Sequence, residues 1–217
     1  MSEFTRSHSR GRRPLALAAL LAALALWLGV APRVVAQPPP PPDEDVTLTQ
    51  RIGARDANVV TILNRSDNRM QVRGNLDVNR IPGDQAVPVN YAAAVASCTD
   101  CQTFAVALQI DLISKAANVV ALENTAIALN VGCTRCITVA HAIQFVVQVD
   151  DPREVPEDVD AATKEMDKDL RDIAKLARDG QIDTATADAR VKALLDRFRT
   201  LGRSLYQRQE ATEVNSP

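Results

Sequence analysis

Aromatic residues are scarce in this sequence: one Trp, two Tyr and four Phe, or 3% of 217 residues. So thin a supply excludes a stacking platform for bases and an aromatic shelf for carbohydrate. Histidine is scarcer still. Of the two, His8 lies in the N-terminal segment and only His141 remains beyond it. A protease zinc site and any two-histidine catalysis are excluded on that count. A Ser-His-Asp triad would have to use His141, and no G-x-S-x-G accompanies it. There is no P-loop and no dinucleotide fingerprint. Long apolar runs are also missing beyond the first 36 residues, so no later stretch is apolar enough to span a membrane.

The first 36 residues read as a secretory signal. Arg6, Arg10, Arg12 and Arg13 make a basic start, residues 15–30 are an apolar run, and Val34-Val35-Ala36 precedes the expected cleavage between Ala36 and Gln37. The apolar run sits at the short limit for crossing a bilayer core of roughly 30 Å, so an uncleaved anchor is the alternative. Cleavage leaves 181 residues with 20 basic and 26 acidic side chains, a formal charge of −6. That balance argues against nucleic acid as a partner. The expected location is secreted or extracytoplasmic.

Residues 37–45 form a linker, with five consecutive prolines and then Asp43-Glu44-Asp45. Residues 46–150 read as strands. Segments 58–63 and 69–78 flank the turn Arg65-Ser66-Asp67-Asn68, and Pro82-Gly83-Asp84 is a second turn. In residues 102–114, Phe104, Val106, Leu108, Ile110 and Leu112 alternate with smaller or polar residues, a period of two that marks a strand with one bulky face and one small face. Residues 157–210 change period. Val159, Ala162, Met166, Leu170, Ile173 and Ala177 form one apolar stripe, and Ala187, Val191, Leu194, Phe198, Leu201 and Leu205 form another. Gly180 is a helix stop and Asp183 or Thr184 a cap for the second helix. This predicts an antiparallel helical hairpin.

An internal repeat appears at a spacing of 35 residues. Ser97-Cys98-Thr99-Asp100-Cys101-Gln102-Thr103 returns as Gly132-Cys133-Thr134-Arg135-Cys136-Ile137-Thr138. Phe104, Val106, Leu108 and Ile110 match Val139, His141, Ile143 and Phe145, and Gln109 matches Gln144. A strand precedes each cysteine pair, at residues 91–97 and 125–131. Each unit is therefore expected to be a β-hairpin with its cysteines at the tip, which pairs Val95 with Phe104 and Ala93 with Val106. A one-residue bulge at Gly132 would bring the second copy into the same register. The fold class expected is α+β: an antiparallel sheet or sandwich of hairpins, followed by the helical hairpin.

Cys98, Cys101, Cys133 and Cys136 are the residues with evident chemistry, and they admit three readings. Structural disulfides suit the export signal, and facing positions on a hairpin have the right spacing. A four-cysteine zinc site is the layout of a zinc ribbon, although 31 residues separate Cys101 from Cys133. A thiol-redox site would place C-x-x-C at a helix start, whereas strands flank both pairs here. The first reading implies no cofactor, the second zinc.

His141 takes the place of Val106 in the repeat, which is a core position before it is a ligand. Arg51, Arg55, Arg65, Arg69, Arg73 and Arg80 gather basic charge in the early strands, either as a solvated edge or for an anionic partner. The small face (Ala92, Ala94, Ala96, Ala105, Ala107, Ala140, Ala142) needs a cover, supplied by the helical hairpin or by a second copy. The heptad stripe offers the same choice, so self-association through either surface is expected alongside an envelope partner.

The motifs Ala-Ser-Cys-Thr-Asp-Cys-Gln-Thr-Phe-Ala-Val-Ala-Leu-Gln and Asn-Val-Gly-Cys-Thr-Arg-Cys-Ile-Thr-Val-Ala-His-Ala-Ile-Gln resemble a duplicated repeat in exported bacterial proteins of actinobacterial type, some of them labelled peptide zinc metalloprotease. The resemblance covers roughly residues 56–150 and implies export, not an activity. The chain lacks the His-Glu-x-x-His that the label requires, so no protease activity is carried over. The function expected is a non-enzymatic structural or binding protein, with a zinc-binding or thiol-redox protein as the alternative.

Overall fold

The computed structural model describes residues 56–214. The expected signal, its cleavage point at Ala36 and Gln37, the linker 37–45, and Arg51 and Arg55 lie outside the described residues. Eight strands come first: β1 (Ala57–Asn64), β2 (Met70–Ile81), β3 (Gln85–Ala86), β4 (Val89–Ala96), β5 (Gln102–Ser114), β6 (Val119–Val120), β7 (Glu123–Asn130) and β8 (Ile137–Val149). Two helices follow, α1 (Glu157–Arg178) and α2 (Thr184–Val214).

Every strand pairing is parallel, which overturns the expected antiparallel sheet or sandwich of hairpins. The sheets run β1-β4-β7, β2-β5-β8 and β3-β6. The chain visits one sheet, then the next, and returns to stack on itself, making a three-coil parallel solenoid. Val95 does not face Phe104: it lies between Leu63 and Leu129, while Phe104 lies between Val72 and Val139. The strands before and after each cysteine pair thus belong to different sheets, and each C-x-x-C segment is a corner of a coil rather than a hairpin tip.

Packing accounts for this arrangement. β5 is buried along nearly its whole length on both faces, the condition typical of parallel strands. Its small inner residues, Ala105 and Ala107, pack against Ala92, Ala94 and Val60 of the opposing sheet in a narrow interior. Its bulky outer residues, Phe104, Val106, Leu108, Ile110 and Leu112, form the main core with the helices. The alanine face is therefore covered from within the solenoid, and the helical hairpin covers the bulky face instead. One extra residue separates β7 from β8 compared with β4 and β5. Gly132 takes it up in the corner at φ 59°, a left-handed conformation open to glycine, so no strand bulge forms.

The helices follow the pattern of their apolar stripes. Val159, Met166, Leu170, Ile173 and Ala177 of α1 are buried, as are Ala187, Val191, Leu194, Phe198 and Leu205 of α2. Gly180 ends α1, and the Asp183 carboxylate accepts a 2.8 Å hydrogen bond from the Thr186 amide, which makes Asp183 the cap of α2. The two helices run antiparallel: Arg208 pairs with Asp158, and Arg197 with Asp169. Among the described residues no helix is long and apolar enough to cross a membrane.

α2 lies close on β8. The Phe145 ring packs on Phe198 with centroids 5.3 Å apart. A methyl group at Gly202 would run into the same ring. Gly202→Ala is therefore expected to push the helix off the sheet and lower stability by about 2 kcal/mol, as overpacking does. Urea unfolding would check this; an unchanged midpoint would mean that the contact is not close.

Candidate functional site

The solenoid brings the four cysteines together by stacking two corners. Cys98 and Cys101 occupy the corner between β4 and β5, and Cys133 and Cys136 the corner between β7 and β8, directly above. Their backbones are linked: the Asp100 amide donates to Thr134 O at 2.9 Å, and the Thr134 amide to Cys98 O at 3.2 Å. The corners share a left-handed residue, Asn68 in the first coil, Asp100 in the second and Arg135 in the third, with φ of 57°, 53° and 53°. Asn and Asp tolerate this conformation; at Arg135 an ion pair with Asp100 accompanies it. That ion pair holds the Asp100 carboxyl below its usual range, first through the hydrogen bond from Arg135.

Cys98 and Cys101 stand at disulfide distance, as do Cys133 and Cys136, and the Cα atoms of each pair are 6.1 Å apart. All four sulfurs lie within 4.8 Å of one another. Across the coils Cys101 Sγ is 3.4 Å from Cys136 Sγ. The lower pair is buried and the upper pair half-buried. In the first coil, Ser66 and Arg69 take the corner positions that correspond to Cys98 and Cys101. Asn64 closes that corner, with its side-chain amide donating to Arg69 O at 3.0 Å and Gln102 O at 3.2 Å. The arrangement can carry two stacked disulfides, or, with the thiols reduced, four sulfur ligands for one metal ion.

The other residues singled out by sequence do not join this cluster. His141 lies half-buried on β8 beneath α2, and burial first, then Arg199, pushes its pKa down. Arg69 and Arg73 line an open cleft of about 440 Å³ with Arg178 of α1. Arg65 and Arg80 are exposed.

Two polar constructions escaped sequence reasoning. One is an asparagine ladder inside the solenoid. Asn58 Nδ2 donates to Asn90 Oδ1 at 3.0 Å, and Asn90 Nδ2 to Asn124 Oδ1 at 2.9 Å. The signal for it was an Asn at the second position of β1, β4 and β7 alike. The other centres on Asp111, which is inaccessible to solvent. It accepts from Asn79 at 2.7 Å and from Gln144 at 2.9 Å. Comparison with family models, curated proteins and solved structures finds no match for this chain.

Proposed function

We propose that this chain is a non-enzymatic structural or binding protein of an extracytoplasmic compartment, a short solenoid whose corners are closed by the disulfides Cys98–Cys101 and Cys133–Cys136. The observation that carries this reading is the separation of the four cysteines into two pairs at disulfide distance, one per coil. Disulfides persist where export delivers a protein, and the resemblance of the cysteine repeats to those of exported bacterial proteins supports that compartment. A four-residue loop gives each bridge only about 2 kcal/mol, enough to fix a corner but not to determine the fold.

A second reading rests on the closeness of the four sulfurs to one another. A tetrahedral zinc ion with Zn–S near 2.3 Å holds its sulfurs about 3.8 Å apart, so reduced cysteines in these corners would need little movement to bind one. Mass spectrometry of the non-reduced chain after thiol alkylation, together with metal analysis, separates the readings. Four unreactive sulfurs and no bound metal are the expected result. Four alkylatable thiols with one zinc ion per chain would replace the first reading with the second. Turnover in an insulin-reduction assay would favour a thiol-redox role.

A further inference from the structure

The two ends of the solenoid are built differently. At inward-facing positions of the sheet under the helices, the second coil has Ala105, Ala107 and Gln109. The first coil has Arg73, Asn75 and Asp77 at the same register, while the third keeps Ala140, Ala142 and Gln144. The first coil thus ends in polar and charged side chains that close it off. Arg73 donates to Thr61 O at 2.8 Å across the end, and Asn75 to Asn58 Oδ1 at 2.8 Å. Repeat folds commonly finish on such an atypical, polar terminal unit.

Among the described residues the third coil has no such charged finish. Its inward-facing Ala126 and Ala128 are exposed, although Ala92 and Ala94, on which they stack, are fully buried. The amides of Glu123 and Val131 bond back to the second coil, as does that of Ile137. By strand alternation the amides of the intervening even-numbered residues of β7 and β8 point out of the end. Helix α2 covers one of them, with the Tyr206 hydroxyl accepting from the Val146 amide at 3.3 Å. Unpaired strand edges of this kind are templates for another strand.

We propose that the third coil is a self-association surface, on which two copies pair their β7 and β8 edges about a two-fold axis and close a dimer. Charge favours a second copy. The inward-facing residues of this end, from Asn124 to Asn130 on β7 and from Thr138 to Gln144 on β8, are uncharged, so self-pairing sets no like charges opposite one another. Stacking of the third coil on the first coil of another copy would bury Arg73 and Asp77, which prevents head-to-tail growth and leaves the closed pair. An eight-residue strand is about 26 Å long, and two sheets with their outer side chains span roughly 20 Å. The end thus offers about 500 Å² per copy, or about 1,000 Å² in the dimer, the lower limit for a specific interface.

Sedimentation velocity of the full chain tests this. The expected result is a dimer at on the order of 100 μM that dissociates on dilution to about 1 μM. A chain that stays monomeric throughout would overturn the proposal. Ala128→Pro removes an outward amide and leaves pairing with β4 intact, and Ala142→Lys adds a charge to the end. Each is expected to abolish the dimer with the circular dichroism spectrum unchanged; dimers of unaltered mass in both would refute this interface. Hydrogen exchange on the unmodified chain provides a readout independent of the variants. The amides of Ala126, Ala128, Ala140 and Ala142 should lose protection on the same dilution, and constant protection would count against the pairing.

Discussion

Asn90→Ala is expected to lower the stability of the solenoid by about 4 kcal/mol. Asn90 is inaccessible to solvent and sits at the middle of the ladder. It accepts from Asn58 at 3.0 Å and donates to Asn124 Oδ1 at 2.9 Å and to Ala107 O at 3.1 Å. Truncation leaves the buried Ala107 O without its donor and Asn58 Nδ2 without one of its acceptors, each costing about 1–3 kcal/mol, and opens a small void besides. Asn58 keeps part of its bonding because its amide also donates to Leu108 O at 2.9 Å. The same truncation at Asn124, which is exposed on the third coil, is expected to cost under about 1 kcal/mol, since water replaces what is lost. Denaturant unfolding of the two variants measures the contrast. Equal losses at the two positions would mean that the asparagines do not act as a ladder.

Much of this architecture was legible one element at a time. The alternation at residues 102–114 marks β5, and the two heptad stripes mark the faces that α1 and α2 bury. Strand pairing was not legible in the same way, because alternation is a property of a single strand and is the same whether its neighbour runs parallel or antiparallel. The decisive signal was the repeat. Matching Phe104 with Val139, Leu108 with Ile143 and Gln109 with Gln144 is the register in which β5 pairs with β8. Read as two copies of a hairpin, that match concealed the fact that each copy lies on the other. The first coil escaped notice because Ser66 and Arg69 stand where cysteines would be expected, and because its spacing to the second coil is 32 residues, as between Asn58 and Asn90. At the site, the four cysteines were identifiable from sequence. Their closeness follows from the stacking of two corners; a zinc ribbon would also gather them, but at hairpin tips that this fold does not have.

The stability of the chain is expected to fall by about 3 kcal/mol between about pH 3 and pH 7 through Asp111 alone, about 2 kcal/mol of it between pH 4 and pH 6, and then to level off. Desolvation in the solenoid interior is the main cause: it pushes the Asp111 pKa up to about 6, against hydrogen bonds from Asn79 and Gln144 that favour the charged form, while Asp56 and Asp77 add to the rise. In the unfolded chain the group titrates near 3.9. Between these values the folded protein holds a proton that the unfolded chain has released, so its contribution is complete below about pH 3 and is lost as pH rises through 6. A difference of about two pKa units at 1.36 kcal/mol each sets the size. His141 works in the opposite direction just below pH 6.5, because its lowered pKa favours the neutral ring in the folded state. Asp100, whose pKa is lowered, loses its contribution only as pH falls below about 4. Measuring the unmodified chain against Asp111→Asn isolates the carboxyl. The amide loses one hydrogen bond at every pH but cannot titrate, so the stability of the unmodified chain relative to the variant should fall by about 2 kcal/mol as pH rises from 4 to 6. A difference constant across that range would show that Asp111 ionises as freely in the fold as out of it.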